Sequence, residues 1–508
     1  MNGRRRDVLL FVLGAALAAL TILRGIGPHD EGLMLQAGER IADGQWPYRD
    51  FWTNYLPGQA LVLGALSKIF GPSLLVWRIV RVAVAAVTAL LVHRLALREE
   101  AGRGWALAAW AAAAGAMAFA QGPGPTAPAL ALALAALLTR SAVAGGALAG
   151  LAFFFRPEIG VAATLGLVLR TRRRGAAASG PDGGAPEAAG AAGAAAPAGG
   201  GGVLQSLAAA LLVGGLLVAP FAVVAPGALA DQVPGFLAIQ DLQRLPLQFR
   251  VPSADPNKIL EALFPAILVA ACVVAGAAVI AARGTSGPAA VAPLAPLALA
   301  GLAYLLGRTD DFHQLALAVP LAAILAILGS RAPRVLALAC GGALALMALH
   351  GLERRAGELL HPEALGAVRS PVADGVRAPA AAAASLNPVL AEIARRTRPG
   401  EPIYVAPPRH DRVRVGNPLL YVLAGRPNAT RYDVMQPGVV TTEGVQREIV
   451  ADLERRRVRL VVRWIAQQAA RREDNGSGRE AGARIIDEHI AARFRPALRT
   501  PELVVLIR

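Results

Sequence analysis

The chain is a succession of apolar stretches broken by short arginine-rich turns, and this alternation constrains its fold more than any other feature. A helix needs about 20 mostly apolar residues to cross a bilayer. Eleven candidate spans can be read, at 8–26, 74–95, 104–120, 127–138, 142–155, 159–169, 203–225, 259–282, 289–306, 312–329 and 335–349. Several of the middle ones are too short to cross alone at about 1.5 Å per residue, so they are expected to be tilted or broken inside a bundle. Only 17% of the residues are charged, against about 25% in a typical soluble domain. That shortage excludes an ordinary soluble enzyme, and a hydrophobic content of 55% excludes a disordered chain. Cys272 and Cys340 both fall inside apolar runs, which leaves no disulfide framework and no metal-binding cysteine spacing.

Basic residues outnumber acidic ones by 51 to 35, a net charge of +16. Their placement argues against a nucleic-acid partner, because they cluster between apolar stretches, where they set orientation in a membrane. Arg4 to Arg6, Arg94 with Arg98 and Arg103, Arg140, Arg170 with Arg172 to Arg174, Arg283, and Arg331 with Arg334 all fall on one side of the expected bundle. The positive-inside rule makes that side the cytoplasm and puts the N-terminus inside. An odd number of spans then puts the C-terminal region outside. The first stretch has no small-x-small cleavage site before the polar segment that follows, so it reads as a retained anchor.

The expected architecture is an all-α polytopic membrane bundle over 1–350, followed by a small extracytoplasmic α/β domain over 351–508. Within the bundle, 27–73 forms an outer loop whose segments 33–42 and 61–70 read as helices lying on the membrane surface. Residues 175–202 are low-complexity Ala/Gly/Pro and read as a disordered cytoplasmic linker. In the C-terminal region, helices are expected at 387–397, 444–457 and 483–494, and strands at 402–406, 460–464 and 503–507. It contains no glycine-rich phosphate loop and no nucleophile elbow. The Asn428-Ala429-Thr430 and Asn475-Gly476-Ser477 sequons read as chance matches.

Charged groups close to the membrane are costly unless paired or solvated, which makes them functional candidates. Four groups fall on the expected outer face. Asp30 and Glu31 sit where the chain leaves the lipid, suited to deprotonating a hydroxyl or holding a cation, or else to capping a helix. Arg78 and Arg81, spaced i,i+3, share one helix face and suit either a phosphate or lipid headgroups. Arg156 and Glu158 flank Pro157 at a helix break, as an anion site or a structural ion pair. Arg308, Asp310 and His313 crowd a short turn between two spans, where one or two charges suffice for a cap. Four separate bland explanations on one face are jointly less economical than one outward-facing site, with carboxylates for base chemistry and arginines for an anion. A further basic patch, Arg409-His410-Asp411-Arg412 with Arg414, reads as a solvated loop or as a contact for an anionic acceptor.

Asp30-Glu31-Gly32, the spacing to Pro47-Tyr48 and Asp50-Phe51, and Pro57-Gly58 resemble the first outer loop of GT-C superfamily membrane glycosyltransferases. The nearest type is the bacterial branch related to protein O-mannosyltransferases and to the aminoarabinose and galacturonic acid transferases of lipopolysaccharide. Arg156-Pro157-Glu158 and the Arg308…Asp310…His313 hairpin are similar to motifs in the same proteins. The resemblance implies a multi-pass enzyme of the cytoplasmic (inner) membrane. Such an enzyme moves a sugar from a polyprenyl phosphate to an acceptor hydroxyl of the cell envelope. By position it implies Asp30 as general base, with Glu31 as alternative or partner. Arg156, Arg308 and, with them, His313, Arg78 or Arg81 would hold the lipid phosphate. The second outer loop, 121–126, lacks the acidic residue such proteins often carry, leaving Glu158 or Asp310 to replace it. No cofactor or metal is expected. The rival readings are a polyprenyl-lipid or solute transporter or flippase, and a non-catalytic scaffold that binds envelope polymer.

Overall fold

The computed structural model describes residues 3–119, 124–178, 200–247, 256–360, 362–480 and 482–508. The first half of the bundle contains α1 (Gly3–Ala19), α2 (Asp30–Ala42), α3 (Gly58–Phe70), α4 (Leu74–Arg98), α5 (Arg103–Phe119), α6 (Thr126–Leu138), α7 (Ala142–Phe155) and α8 (Pro157–Ala178). The second half contains α9 (Gly200–Val224), α10 (Pro226–Gln232), α11 (Pro256–Ala281), α12 (Gly287–Val291), α13 (Ala295–Gly307), α14 (Asp311–Gly329) and α15 (Arg334–Leu360). Each of the eleven stretches read as spans overlaps a helix, though not always over its full length. Among the described residues, six helical segments are long and apolar enough to cross a membrane: Leu74–Arg98, Gly201–Val224, Ile259–Ala281, Gly287–Gly307, Phe312–Gly329 and Arg334–Leu360.

Lipid exposure and packing divide these helices. α9 turns leucines and valines outward, with Leu211 76% and Val223 81% exposed. α14 is enclosed by its neighbours, with Leu317, Val319, Leu325 and Leu328 all buried. Small residues let backbones approach closely, as expected where packing rather than water drives helix association. At the crossing of α5 and α15, a Cβ on Gly351 would lie 1.8 Å from the Gly115 carbonyl oxygen.

Three elements depart from expectation for visible reasons. α1 stops at Ala19 rather than running to residue 26, because the chain beyond it pairs with the C-terminal region. There Gly25 donates to the Arg377 carbonyl at 2.8 Å, and Arg377 donates to Leu23 at 2.8 Å. α2 is buried between α3 and the C-terminal region instead of lying on the membrane surface. The stretch 289–306 is broken at the 3₁₀ turn Ala292–Leu294, where Pro293 and Pro296 interrupt regular helix hydrogen bonding. Part of the expected linker, 179–199, lies outside the described residues; 175–178 belong to α8 and 200–202 to α9.

The C-terminal region follows α15 directly. It comprises β1 (Leu365–Ala367), β2 (Arg377–Pro379), α16 (Ala380–Arg396), β3 (Tyr404–Ala406), α17 (Leu419–Ala424), α18 (Glu443–Arg455), β4 (Leu460–Trp464), α19 (Ile485–Arg493), β5 (Arg495–Arg499) and β6 (Leu503–Ile507). The main sheet has the order β3-β4-β6-β5. β3 and β4 are parallel, joined through α17 and α18, while β4–β6 and β6–β5 are antiparallel. Both sequons serve packing. Asn428 is buried and donates to Asp433 at 2.8 Å, and Asn475 accepts from the Ser477 amide at 2.7 Å.

The expected basic turns meet at one end of the bundle. Arg94 pairs with Asp7 at 2.8 Å, and Arg173 pairs with Glu99 at 2.7 Å. Arg98 donates to the Leu137 and Leu138 carbonyls at 2.8 Å, and Arg331 donates to the Glu99 carbonyl. α4 links this end to the other: its 25 residues span about 37 Å, a membrane thickness, from Arg98 back to the turn before Arg78.

Candidate active site

At the end opposite those basic turns, a cavity of about 1600 Å³ opens between the bundle and the C-terminal region. Asp30, Glu31, Arg78, Arg81, Arg156, Glu158, Arg308, Asp310 and His313 all line it. Four segments separated by up to almost 300 positions are thus brought to one surface.

Asp30 and Glu31 open α2, and their environments differ sharply. Glu31 is buried and fully engaged. Arg78 Nε donates to one carboxylate oxygen and Nη2 to the other, both at 2.8 Å, and the Gly27 amide adds a third bond at 2.9 Å. The rest of the Arg78 guanidinium is taken by the carbonyls of Ile22, at 2.7 Å, and Gly25, at 2.9 Å. This pair ties α4 to the loop after α1. Asp30 is exposed to the cavity. Arg81, one turn beyond Arg78, also faces the cavity.

Arg156 is the single extended residue between α7 and α8, since Pro157 supplies the fixed φ that starts the next helix. Its side chain is buried, and Nε donates to Glu158 at 2.7 Å. The guanidinium lies 4.4 Å from the Tyr304 ring centre and 5.9 Å from that of Tyr55. Arg308 caps α13, bonds the Asp310 carboxylate and donates to the Gln243 carbonyl at 2.7 Å. Burial pushes the Asp310 carboxyl up, but His313 and Arg308 outweigh it and hold the group well below the ordinary carboxylate range. The His313 ring meets the same carboxylate and lies 4.2 Å from Tyr304.

Several lining residues were not singled out in the sequence. His29 adjoins Asp30 in sequence and lines the cavity with it. Burial pushes its pKa below the usual histidine value against the pull of Asp30. Tyr55 and Tyr304 line the site beside Arg156, while Arg24, Arg354, Arg355 and Glu358 line its margin near α15. The basic patch at 409–414 is not a solvated loop. His410 is completely buried, bonded to Tyr404 at 2.8 Å and to Asp487, while Arg409 pairs with Asp411 and Glu480. Of that patch, only Arg414 lines the cavity. Residues 121–123 of the second outer loop lie outside the described residues, and among the described residues no three His, Cys, Asp or Glu side chains converge as metal ligands.

No family model matches the chain, and no curated protein matches it. Among solved structures it is similar to ArnT from Cupriavidus metallidurans bound to undecaprenyl phosphate, with a TM-score of 0.53 at 14% sequence identity. The likeness covers 99% of this chain and 98% of that one, so bundle and C-terminal region both take part in it. The chain therefore has the fold of ArnT: a mostly helical, multi-pass membrane architecture with a small sheet-bearing C-terminal region.

Proposed function

We propose that this protein transfers a sugar from a polyprenyl phosphate to a hydroxyl of a cell-envelope acceptor, outside the cytoplasmic membrane. The observation that carries the reading is the convergence of the nine candidate residues on one cavity, in a fold shared with a protein solved with undecaprenyl phosphate. In this reading the basic end of the bundle faces the cytoplasm. The cavity and the C-terminal region lie outside, and all eleven apolar helices take part in crossing or lining the membrane.

The acceptor oxygen attacks the anomeric carbon of the sugar, and the bond from that carbon to the phosphate oxygen breaks. The hydroxyl proton passes to Asp30, whose exposed carboxylate faces the cavity, whereas Arg78 engages both oxygens of Glu31. Glu31 and Arg78 act as the anchor that positions Asp30. The leaving group departs as a lipid phosphate, which needs positive charge rather than a proton. Arg156 and Arg308 supply that charge from two rigid helix junctions, with His313 and Asp310 orienting Arg308. Arg81 adds charge at the margin, and Glu158 holds Arg156 in place.

The test is binding of undecaprenyl phosphate to the purified protein. Wild type should bind saturably, and Arg156→Ala and Arg308→Ala should each weaken binding about tenfold, in line with the loss of a charge-assisted hydrogen bond. Binding that is absent, or indifferent to both substitutions, would remove the lipid-phosphate site.

A further inference from the structure

Arg414 belongs to the C-terminal region, yet it faces the cavity that the membrane helices build. Two backbone contacts fix its segment: the Arg414 amide donates to the Ala469 carbonyl at 2.8 Å, and the Leu419 amide donates to the Pro28 carbonyl at 3.2 Å. The approach is tight, because a Cβ on Gly32 would lie 2.3 Å from the Leu419 nitrogen. Residues 414–419 therefore clamp the loop that carries Asp30.

The side chain is held with equal definition. Arg414 Nε bonds Glu473, whose side chain is only 6% exposed. The same carboxylate meets Arg308 Nη2 at 3.3 Å and accepts from Asn475 at 3.1 Å. One carboxylate of the C-terminal region thus yokes an arginine of that region to an arginine of the α13–α14 turn. Burial pushes the Glu473 carboxyl up, but the two arginines outweigh it and hold it below its ordinary value. Glu473 itself does not line the cavity, whereas Arg308 and Arg414 both do. One buried carboxylate therefore joins two cavity-lining arginines, one from each part of the protein. Two adjacent arginines facing a cavity form a fork for an anion with several oxygens.

We infer that Arg414 is a second ligand of the donor's lipid phosphate, so that the C-terminal region supplies part of the anion site. This rests on the transferase reading above and extends it. Arg308 reaches the phosphate from the membrane bundle and Arg414 from the other side, and the site is complete only when the two parts are docked. The other members of the 409–414 patch take no part, since Arg409 and His410 are bound within their own region.

The experiment compares binding of undecaprenyl phosphate and of uncharged undecaprenol to the full-length protein. Variants are Arg414→Ala, Arg414→Gln, Arg414→Lys, Arg308→Ala and, as a control, Arg409→Ala, each checked for thermal unfolding. Arg414→Ala and Arg414→Gln should weaken phosphate binding about tenfold while leaving undecaprenol binding unchanged. Arg414→Lys should restore part of the loss, and Arg409→Ala should resemble wild type. A purely structural role would lower binding of both lipids together, and that result would overturn the inference. If Arg308→Ala weakens phosphate binding but the neutral Arg414 variants do not, the inference falls and the transferase reading stands. If wild type does not distinguish the phosphate from undecaprenol, both fall.

Discussion

Asp30 and Glu31 are adjacent and chemically alike, and their surroundings assign them different work. A buried carboxylate with an arginine on both oxygens is committed to that ion pair, whereas one facing a cavity is open to a substrate hydroxyl. Removing one partner of a buried pair leaves the other as an uncompensated charge, which costs about 3–5 kcal/mol. Arg78→Ala should therefore lower the thermal unfolding temperature strongly, and Glu31→Gln added to it should recover part of the loss. An Arg78→Ala protein of wild-type stability would show that the Glu31 pair is not the anchor described here.

At the scale of elements, the bundle depends on close helix crossings at small residues. Gly351 and Gly115 bring α15 against α5, while Gly342 on the same helix has no atom within 4 Å of where a Cβ would stand. Gly351→Ala should destabilise the protein, since neither backbone can yield without separating the helices. Gly342→Ala should be neutral or stabilising by up to about 1 kcal/mol, from helix propensity alone. Thermal unfolding of the two variants checks the contrast, and equal melting would contradict the packing described. Apolar periodicity and length made the helices legible in the sequence, as with 142–155, which matches α7 at both ends. Charge at helix junctions made Arg156 and Arg308 legible for the same reason. Contacts between distant segments left no local trace. The end of α1 is set by pairing with Arg377, and Arg414 reaches Arg308 only through Glu473. β5 was missed because its sequence, Arg495-Pro496-Ala497-Leu498-Arg499, is that of an edge strand, where a proline and charges are tolerated.

At the scale of the molecule, the two ends of the bundle differ in what they gather. Basic turns and their carbonyl and carboxylate partners meet at one end, and the cavity opens at the other. If the basic end faces the cytoplasm, cysteines placed on the C-terminal region will meet reagents from outside. With Cys272 and Cys340 replaced by alanine, Arg398→Cys and Glu443→Cys should react with a membrane-impermeant maleimide once the outer surface is accessible. Arg140→Cys and Arg283→Cys should react only after the membrane is opened, and the reverse pattern would invert the topology.

The central claim is that the cavity performs group transfer with Asp30 as base, and a single variant separates this from transport and from a scaffold role. The measurement is release of undecaprenyl phosphate from undecaprenyl-phosphate-linked sugars, isolated from the source membranes, by wild type and Asp30→Asn reconstituted in vesicles. The account predicts that Asp30→Asn still binds undecaprenyl phosphate but releases it from the sugar donor about 10²–10⁴ times more slowly, the range expected for loss of a general base. Release at the wild-type rate by Asp30→Asn, or none by wild type supplied with its acceptor, would contradict it.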